Sequence, residues 1–318
     1  MFLGIDIGGT KCAVLKGIGK NIVYREAFAT TDYKTTINKI FELVEGQNGD
    51  YEAIGISCGG PLDEKKGIIQ SPPNLPGWND VEIVKMLEER FKKPAFLLND
   101  ANACALAEWK YGAGQECDNM VFLTFGTGMG AGLVLDGKLY SGTNGNAGEI
   151  GHVRLAKTGE IGFGKHGSFE GFCSGGGIAR MGKTLARRRL AKNNPTAFGK
   201  TEKDIENITA KLLAEYANKG DKDAISVYNK CGYKLGEALS IIIDVLNPQV
   251  IVIGSVFARS GNLLIPQMQK AIKKEALLSS ASVCKIVPAV LGEQIGDVAA
   301  LITAEEGVKY AKLRGKIS

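Results

Sequence analysis

Two short glycine turns carry the first chemical signal in the chain. Asp6-Ile7-Gly8-Gly9-Thr10-Lys11 closes one apolar run, and Gly126-Thr127-Gly128 closes another. Glycines in a tight turn leave backbone N–H groups open to an anion, and a threonine hydroxyl adds a donor. Each turn therefore suits phosphate oxygens, although neither has the spacing of a Walker loop or of GxGxxG. Asp6 stands at a strand end, where a carboxylate can orient a hydrated Mg²⁺. Asn99-Asp100 lies where an apolar strand meets a helix. An aspartate there can simply cap the helix. With Asn99 beside it, it can also read a hydroxyl pair of a polyol, Asp100 acting as general base on the attacking hydroxyl. Phosphoryl transfer asks for little more than a positioned nucleophile, an in-line phosphate and neutralised charge. The loop NGNAGEIGH, residues 144–152, places Glu149 and His152 three residues apart, where they can clamp vicinal hydroxyls. Glu170 is a further candidate carboxylate.

The elements that must position these residues follow from apolar spacing. Phe2 to Ile7, Cys12 to Ile18 and Asn21 to Phe28 read as an antiparallel meander. Helices are expected over 34–46, over 80–92 with Asn79 or Asp80 as cap, and over Ala101 to Tyr111. Strands are expected over 51–57 and 95–98. The pattern then restarts. Val121 to Phe125, a glycine turn and Leu133 to Leu135 repeat the opening unit 120 residues on, Gly128 falling on Gly8 and Gly137 on Gly17. A duplicated strand–turn–strand unit is a property of a whole fold. Helices over 204–218, 222–246, 263–278 and 297–313 and strands over 250–253 and 283–287 complete an α/β chain of two similar halves. The first half is expected to span 1–119 plus 298–318, and the second 120–297. Residues 186–205 read as an exposed helix-to-loop excursion.

Composition narrows the classes. Apolar residues make up 44% and charged residues 23% of the 318, which excludes a disordered chain. No apolar run reaches a membrane span, and a strand beginning at Phe2 leaves no room for a signal peptide. The 42 glycines are nearly twice the usual share of about 7%, in clusters that suit tight turns. A net charge of +5 is mild, and Arg187-Arg188-Arg189 reads as a solvated helix face without a nucleic-acid motif. Seven scattered cysteines read as reduced, mostly buried thiols of a cytoplasmic protein, and their spacing offers no zinc site.

The chain resembles the bacterial ROK-family sugar kinases, of the actin-like, sugar kinase and Hsp70 ATPase superfamily. The resemblance runs from residue 3 to about 306. It is carried by LGIDIGGTK (3–11), SPPNLPGW (71–78), LLNDANACALAEWKYGAG (97–114), FGTGMGAGLV (125–134), GNAGEIGH (145–152), NPQVIVIG (247–254) and GDVAALI (296–302). It implies two actin-like (ribonuclease H-like) domains with a nucleotide and sugar cleft between them. It also implies roles. Gly8, Gly9, Thr10 and Lys11 match the first phosphate loop, Asp6 the metal-side carboxylate, and Gly126, Thr127 and Gly128 the second loop. Gly254 and Ser255 match the adenosine-side turn. Asp100 matches the catalytic base and Asn99 its sugar-binding neighbour. Glu149, His152 and Glu170 match further sugar contacts, and Gly60 and Asn74 lie on sugar-facing loops.

The activity so implied is ATP- and Mg²⁺-dependent phosphorylation of a hexose at its 6-hydroxyl, with glucose first. N-acetylmannosamine, N-acetylglucosamine, fructose and allose are alternative substrates, and polyphosphate an alternative donor. Carbohydrate metabolism, a cytoplasmic location and a homodimer are implied too, with neither nucleic acid nor membrane as partner. A sugar-sensing repressor is the non-enzyme alternative. Members of that kind carry a DNA-binding extension ahead of the first loop, whereas this strand starts at residue 2. A catalytically inactive sugar-binding scaffold is another. One departure stands out. The family usually carries a zinc motif, CxCGxxGCxE, with the histidine of GEIGH as fourth ligand. Here the three cysteine positions hold Ile161, Phe163 and Ser168. Only His152 remains of about four ligands that zinc needs, and His166 and Cys173 have the wrong spacing, so no zinc is expected. Ile161 and Phe163 suggest that apolar packing holds the loop instead.

Overall fold

Phe2–Ile7 is the centre of a five-stranded sheet, with Leu3, Ile5 and Ile7 buried. Asn21–Ala29 pairs antiparallel with Lys11–Ile18, and that strand antiparallel with Phe2–Ile7. Ile54–Cys58 and then Ala95–Asn99 extend the sheet in parallel. All five residues of Ile54–Cys58 are buried, as a parallel strand covered on both faces requires. A second five-stranded sheet repeats this order with Lys138–Leu139, Ala131–Leu135, Met120–Leu123, Val250–Ile253 and Lys285–Pro288. In each sheet the third strand in sequence lies at one edge, the first at the centre, and two later parallel strands beyond it. The repeat of the glycine turns is thus a repeat of topology.

The computed structural model describes residues 1–315; the last three residues of the expected 298–318 segment lie outside the described residues. Contacts divide the chain into two compact units. One comprises Met1–Glu116, Gly132–Ala147 and the described residues from 290 to 315; the other comprises Cys117–Ala131 and Gly148–Ala289. In the first unit the helix Ile295–Leu313 packs on Phe2–Ile7 and Ile54–Cys58, with Val298 to Ile302 wholly buried. In the second, the long helices Lys222–Leu246 and Val256–Glu275 pack on each other.

Several boundaries differ from the sequence reading, each for a local reason. The helix expected from 80 begins at Ile83. Asp80 has φ 50°, a left-handed turn conformation, so neither it nor Asn79 caps the helix. The span 204–218 is two helices, Glu202–Glu206 and Ala210–Asn218. Thr209 interrupts it by accepting the N–H of Leu212, as a cap does and a mid-helix residue does not. The helix expected from 263 starts at Val256 and bends at Ser260. Leu278–Val283 is a short helix, so the last strand is Lys285–Pro288. The 186–205 excursion is anchored rather than exposed throughout, since Phe198 and Ile205 are buried. Its basic run is matched by acids, Arg187 by Glu202 and Glu206 and Arg189 by Asp223. All seven cysteines are free, and Cys12, Cys58, Cys173 and Cys231 are buried. Among the described residues no helix is long and apolar enough to cross a membrane.

Candidate active site

The first unit holds Asp6, the turn Gly8–Lys11, Gly60, Asn74, Asn99 and Asp100. The turn joins two antiparallel strands and closes with the Gly8 N–H on the Lys11 carbonyl at 3.1 Å. Thr30, 20 residues beyond Thr10, pins it from just past the end of the neighbouring strand Asn21–Ala29. Its hydroxyl donates to the Gly8 carbonyl at 2.6 Å, and its N–H donates to the Thr10 carbonyl at 3.1 Å. Gly9 lies against Asn74, where a β-carbon would stand 2.6 Å from the Asn74 Cβ. This contact brings two expected site residues together.

Asp6 sits over the start of the helix Ile295–Leu313. A β-carbon on Gly296 would stand 2.9 Å from Asp6 Oδ2, so glycine is what admits the carboxylate. A helix N-terminus favours a negative charge. Burial opposes it more strongly, and Asp100 and Asp297 add repulsion. Lys11 and Arg25 offset only part, and the Asp6 pKa rises to about 6. Arg25 is itself committed to Asp297, Nε to Oδ2 at 2.7 Å.

Asn99 ends its strand and caps the helix Asp100–Tyr111, its Oδ1 accepting the Ala101 N–H at 3.0 Å. Asp100 Oδ1 accepts the same N–H at 2.8 Å. The Gly59-Gly60 backbone gives these side chains room. A β-carbon on Gly59 would stand 3.7 Å from Asp100 Oδ2, and one on Gly60 3.4 Å from Asn99 Nδ2. Asp100 is exposed at the surface, yet the protein packed closely around its carboxyl partly desolvates it. That desolvation raises its pKa, while the Ala101 N–H pulls the other way.

Glu64 escaped the sequence reading. Its Oε1 accepts the Asn99 N–H at 3.0 Å and the Asn102 Nδ2–H at 2.9 Å, tying strand end and helix start together. Asn102 falls one turn after Asn99, a spacing that could have marked it. Glu64 had no such signal, being 35 residues from its partner.

The second unit holds Gly126–Gly128, Glu149, His152, Glu170, Gly254 and Ser255. The turn docks on the start of the helix Gly175–Leu190. The Gly126 carbonyl accepts the Gly175 N–H at 2.8 Å and the Thr127 carbonyl the Gly176 N–H at 3.4 Å. Ser174 caps that helix through the Gly177 N–H. Glu170 reaches the turn directly, Oε2 accepting the Met129 N–H at 3.1 Å. The loop of Glu149 and His152 lies on the same turn. The Ala131 N–H donates to the Gly148 carbonyl at 3.0 Å, and a β-carbon on Gly151 would collide with the Met129 carbonyl. Glu149 and His152 are exposed. Gly254 donates to Leu123 and Val256 to Phe125, which sets Ser255 beside the strand that feeds the turn. Five of these six sites therefore hang on residues 123–131, directly or through one bond. A cavity of about 320 Å³ in this unit, lined by Arg154, Glu237, Asp244 and Glu275 among others, contains none of them.

The expected apolar packing of Ile161 and Phe163 does not occur; both are exposed. The former cysteine positions also do not fit zinc. Ile161 and Phe163 offer no donor atom, and the buried Ser168 hydroxyl is spent on the Gly162 carbonyl and the Gly171 N–H. Among the described residues no group of three or more His, Cys, Asp or Glu is arranged to hold a metal ion.

This α/β chain, with two sheets of one repeated strand order, has the actin-like fold of the solved ROK sugar kinases it matches. Within that fold the chain belongs to the ROK family, whose pattern matches residues 2–306. The glucokinase of Thermotoga maritima is 30% identical over 315 residues, covering 96% of this chain and 98% of that protein. The DNA-binding transcriptional dual regulator NagC of Escherichia coli K12 is 32% identical over 228 residues, covering 71% of this chain and 53% of that protein. A ROK family glucokinase from Streptomyces griseus, solved in complex with glucose and AMPPNP, matches with a TM-score of 0.78 at 29% identity, covering 96% of this chain and 99% of that one.

Proposed function

We propose that the chain transfers the γ-phosphoryl group of Mg²⁺·ATP to the 6-hydroxyl of a hexose, with glucose as its main substrate. The observation that carries this reading is the similarity to a glucokinase over nearly the full length of both proteins. In this reading Asp100 accepts the proton of the 6-hydroxyl. Its raised pKa makes it a stronger base than an ordinary aspartate. The freed oxygen attacks the γ-phosphorus, and the β–γ bridging oxygen departs with ADP. Gly8 to Lys11 and Gly126 to Gly128 hold the phosphates, and Gly254 and Ser255 flank the adenosine. Asp6 would hold a hydrated magnesium ion through water, which would supply neutralisation of the phosphate charge. Asn99, Glu149, His152 and Glu170 hold sugar hydroxyls, with Gly60 and Asn74 on the sugar-facing loops. The two halves of the duplication, 1–119 with 298–318 and 120–297, serve as the two domains of this site. The protein acts in the cytoplasm as a homodimer.

The test is sugar-dependent ADP release with Mg²⁺·ATP, against glucose, N-acetylmannosamine, N-acetylglucosamine, fructose, allose and mannose. Release with glucose supports the whole reading; release with an N-acetyl sugar keeps the kinase and moves the substrate. Asp100→Asn is expected to lower kcat by about 10²- to 10⁴-fold while sugar binding persists. Near-normal turnover in that variant removes Asp100 from the role. The likeness to NagC supports a second reading, a sugar-binding regulator without phosphoryl transfer. It predicts sugar binding with no ADP release from any sugar.

A further inference from the structure

His152 sits beside a hairpin that has no cysteine in it and is built at visible cost. Ile161–Gly162 pairs antiparallel with Lys165–His166, leaving Phe163-Gly164 as a two-residue turn. Both turn residues have positive φ, 45° and 73°. That is the type I′ geometry, which asparagine or glycine adopts readily and phenylalanine does not. Phe163 is also 73% exposed. A bulky residue in a left-handed conformation, with its ring in water, calls for a compensating contact. The ring has one: it stands edge-on to the His152 imidazole, centroids 5.9 Å apart at 77°. Two residues on, Lys165 Nζ donates to the His152 carbonyl at 2.8 Å. One hairpin therefore holds both the ring and the backbone of His152.

The hairpin is itself fixed by backbone bonds. The Gly167 N–H donates to the Glu160 carbonyl at 3.0 Å, and the Leu155 N–H to the Gly167 carbonyl at 2.8 Å. Ser168, which caps the turn of helix carrying Glu170, donates to the Gly162 carbonyl at 3.3 Å. So the segment that bears Glu170 and the loop that bears His152 are tied to one hairpin by protein hydrogen bonds. We infer that residues 161–166 are a metal-free clamp in which Phe163 and Lys165 position His152 to meet the substrate. The substrate part rests on the sugar-kinase reading; the clamp rests on the geometry alone.

The test uses Phe163→Asn, which removes the ring while installing the residue that suits the turn. The chain has only two histidines, so imidazole NMR signals of His152 and His166 are resolved from each other. In this variant the His152 signals should move, those of His166 should stay, and Tm should hold or rise. For the sugar that the wild type turns over, KM should rise about 3- to 10-fold, with the change falling mainly on KM. Phe163→Tyr should restore both readouts, and Lys165→Met should raise KM in the same sense. Equimolar zinc should leave the wild-type His152 signals in place. Unmoved His152 signals in the asparagine variant overturn the clamp, as does stoichiometric zinc in the purified protein. If the wild type phosphorylates no sugar, the kinase reading falls, and the NMR arm still decides the clamp.

Discussion

Asp6 faces opposed demands. The proposed kinase role asks it to be ionised beside phosphate and magnesium, yet burial and two neighbouring aspartates hold its pKa at about 6 rather than 3.8. The folded state therefore binds this proton more tightly than the unfolded one. Between pH 4 and 6 the unfolded form is ionised and the folded form is not, so stability falls as pH rises through that window. Once both forms are ionised the cost reaches up to about 3 kcal/mol. Asp6→Asn removes the titration. Urea unfolding should show the variant equal to wild type near pH 4 and more stable by about 1–3 kcal/mol at pH 7, while phosphoryl transfer is lost. A stability gap that is the same at both pH values removes Asp6 as its source. A buried carboxylate that weakens the fold in this way is the usual pattern where a function needs a charge that folding does not.

The two glycine turns look alike in sequence but are supported differently, and their variants should differ. An alanine at Gly9 meets the Asn74 Cβ at 2.6 Å and its carbonyl oxygen at 2.8 Å, neither of which is a flexible chain end. Gly9→Ala should cost about 2–3 kcal/mol and several degrees of Tm, with nucleotide binding weakened. An alanine at Gly128 meets only the tip of Glu170, 2.8 Å away, which can swing aside by giving up the Met129 N–H. Gly128→Ala should stay within about 1 kcal/mol of wild type in stability and lose function through the displaced Glu170. Thermal melts and nucleotide titrations of the pair separate the two; equal losses of Tm contradict the distinction. The turns themselves were legible because their signal is local: glycine spacing after an apolar run. The strands Phe2–Ile7 and Val250–Ile253 were legible for the same reason. What holds the turns was not. Thr30 on Gly8, the Gly175 N–H on Gly126 and, at the strand end near Asp100, Glu64 on Asn99 act through partners that only the folded topology brings near. Helix limits at Ile83, Thr209 and Val256 turned on single side-chain bonds or one left-handed residue, which apolar periodicity does not record.

The duplication read from a 120-residue offset became two sheets of one order, and, as the sequence reading expects, the first unit is completed from the far end of the chain. Its last helix comes from there, and Glu108 fastens that segment in place. Glu108 is wholly buried. Its Oε1 accepts the N–H groups of Val290 and Leu291 at 3.0 and 2.9 Å, and its Oε2 accepts the Ala113 N–H at 2.8 Å. One carboxylate thus joins the end of the helix Asp100–Tyr111 to the point where the chain re-enters the unit. Downstream of that point Val298 to Ile302 fill the space against the central strands. Glu108→Ala leaves three backbone donors without their acceptor, at about 1–3 kcal/mol for each group that water does not reach. The expected loss is about 3–5 kcal/mol, a large share of the 5–15 kcal/mol that holds a typical domain folded. Glu108→Gln keeps one oxygen for Val290 and Leu291 but turns an N–H₂ toward the Ala113 N–H, so its loss should be smaller. Urea unfolding of the two variants, with hydrogen exchange at Val290 and Leu291 as the local readout, measures both. An alanine variant within 1 kcal/mol of wild type would mean that the apolar packing of Val298 to Ile302 alone retains the C-terminal helix.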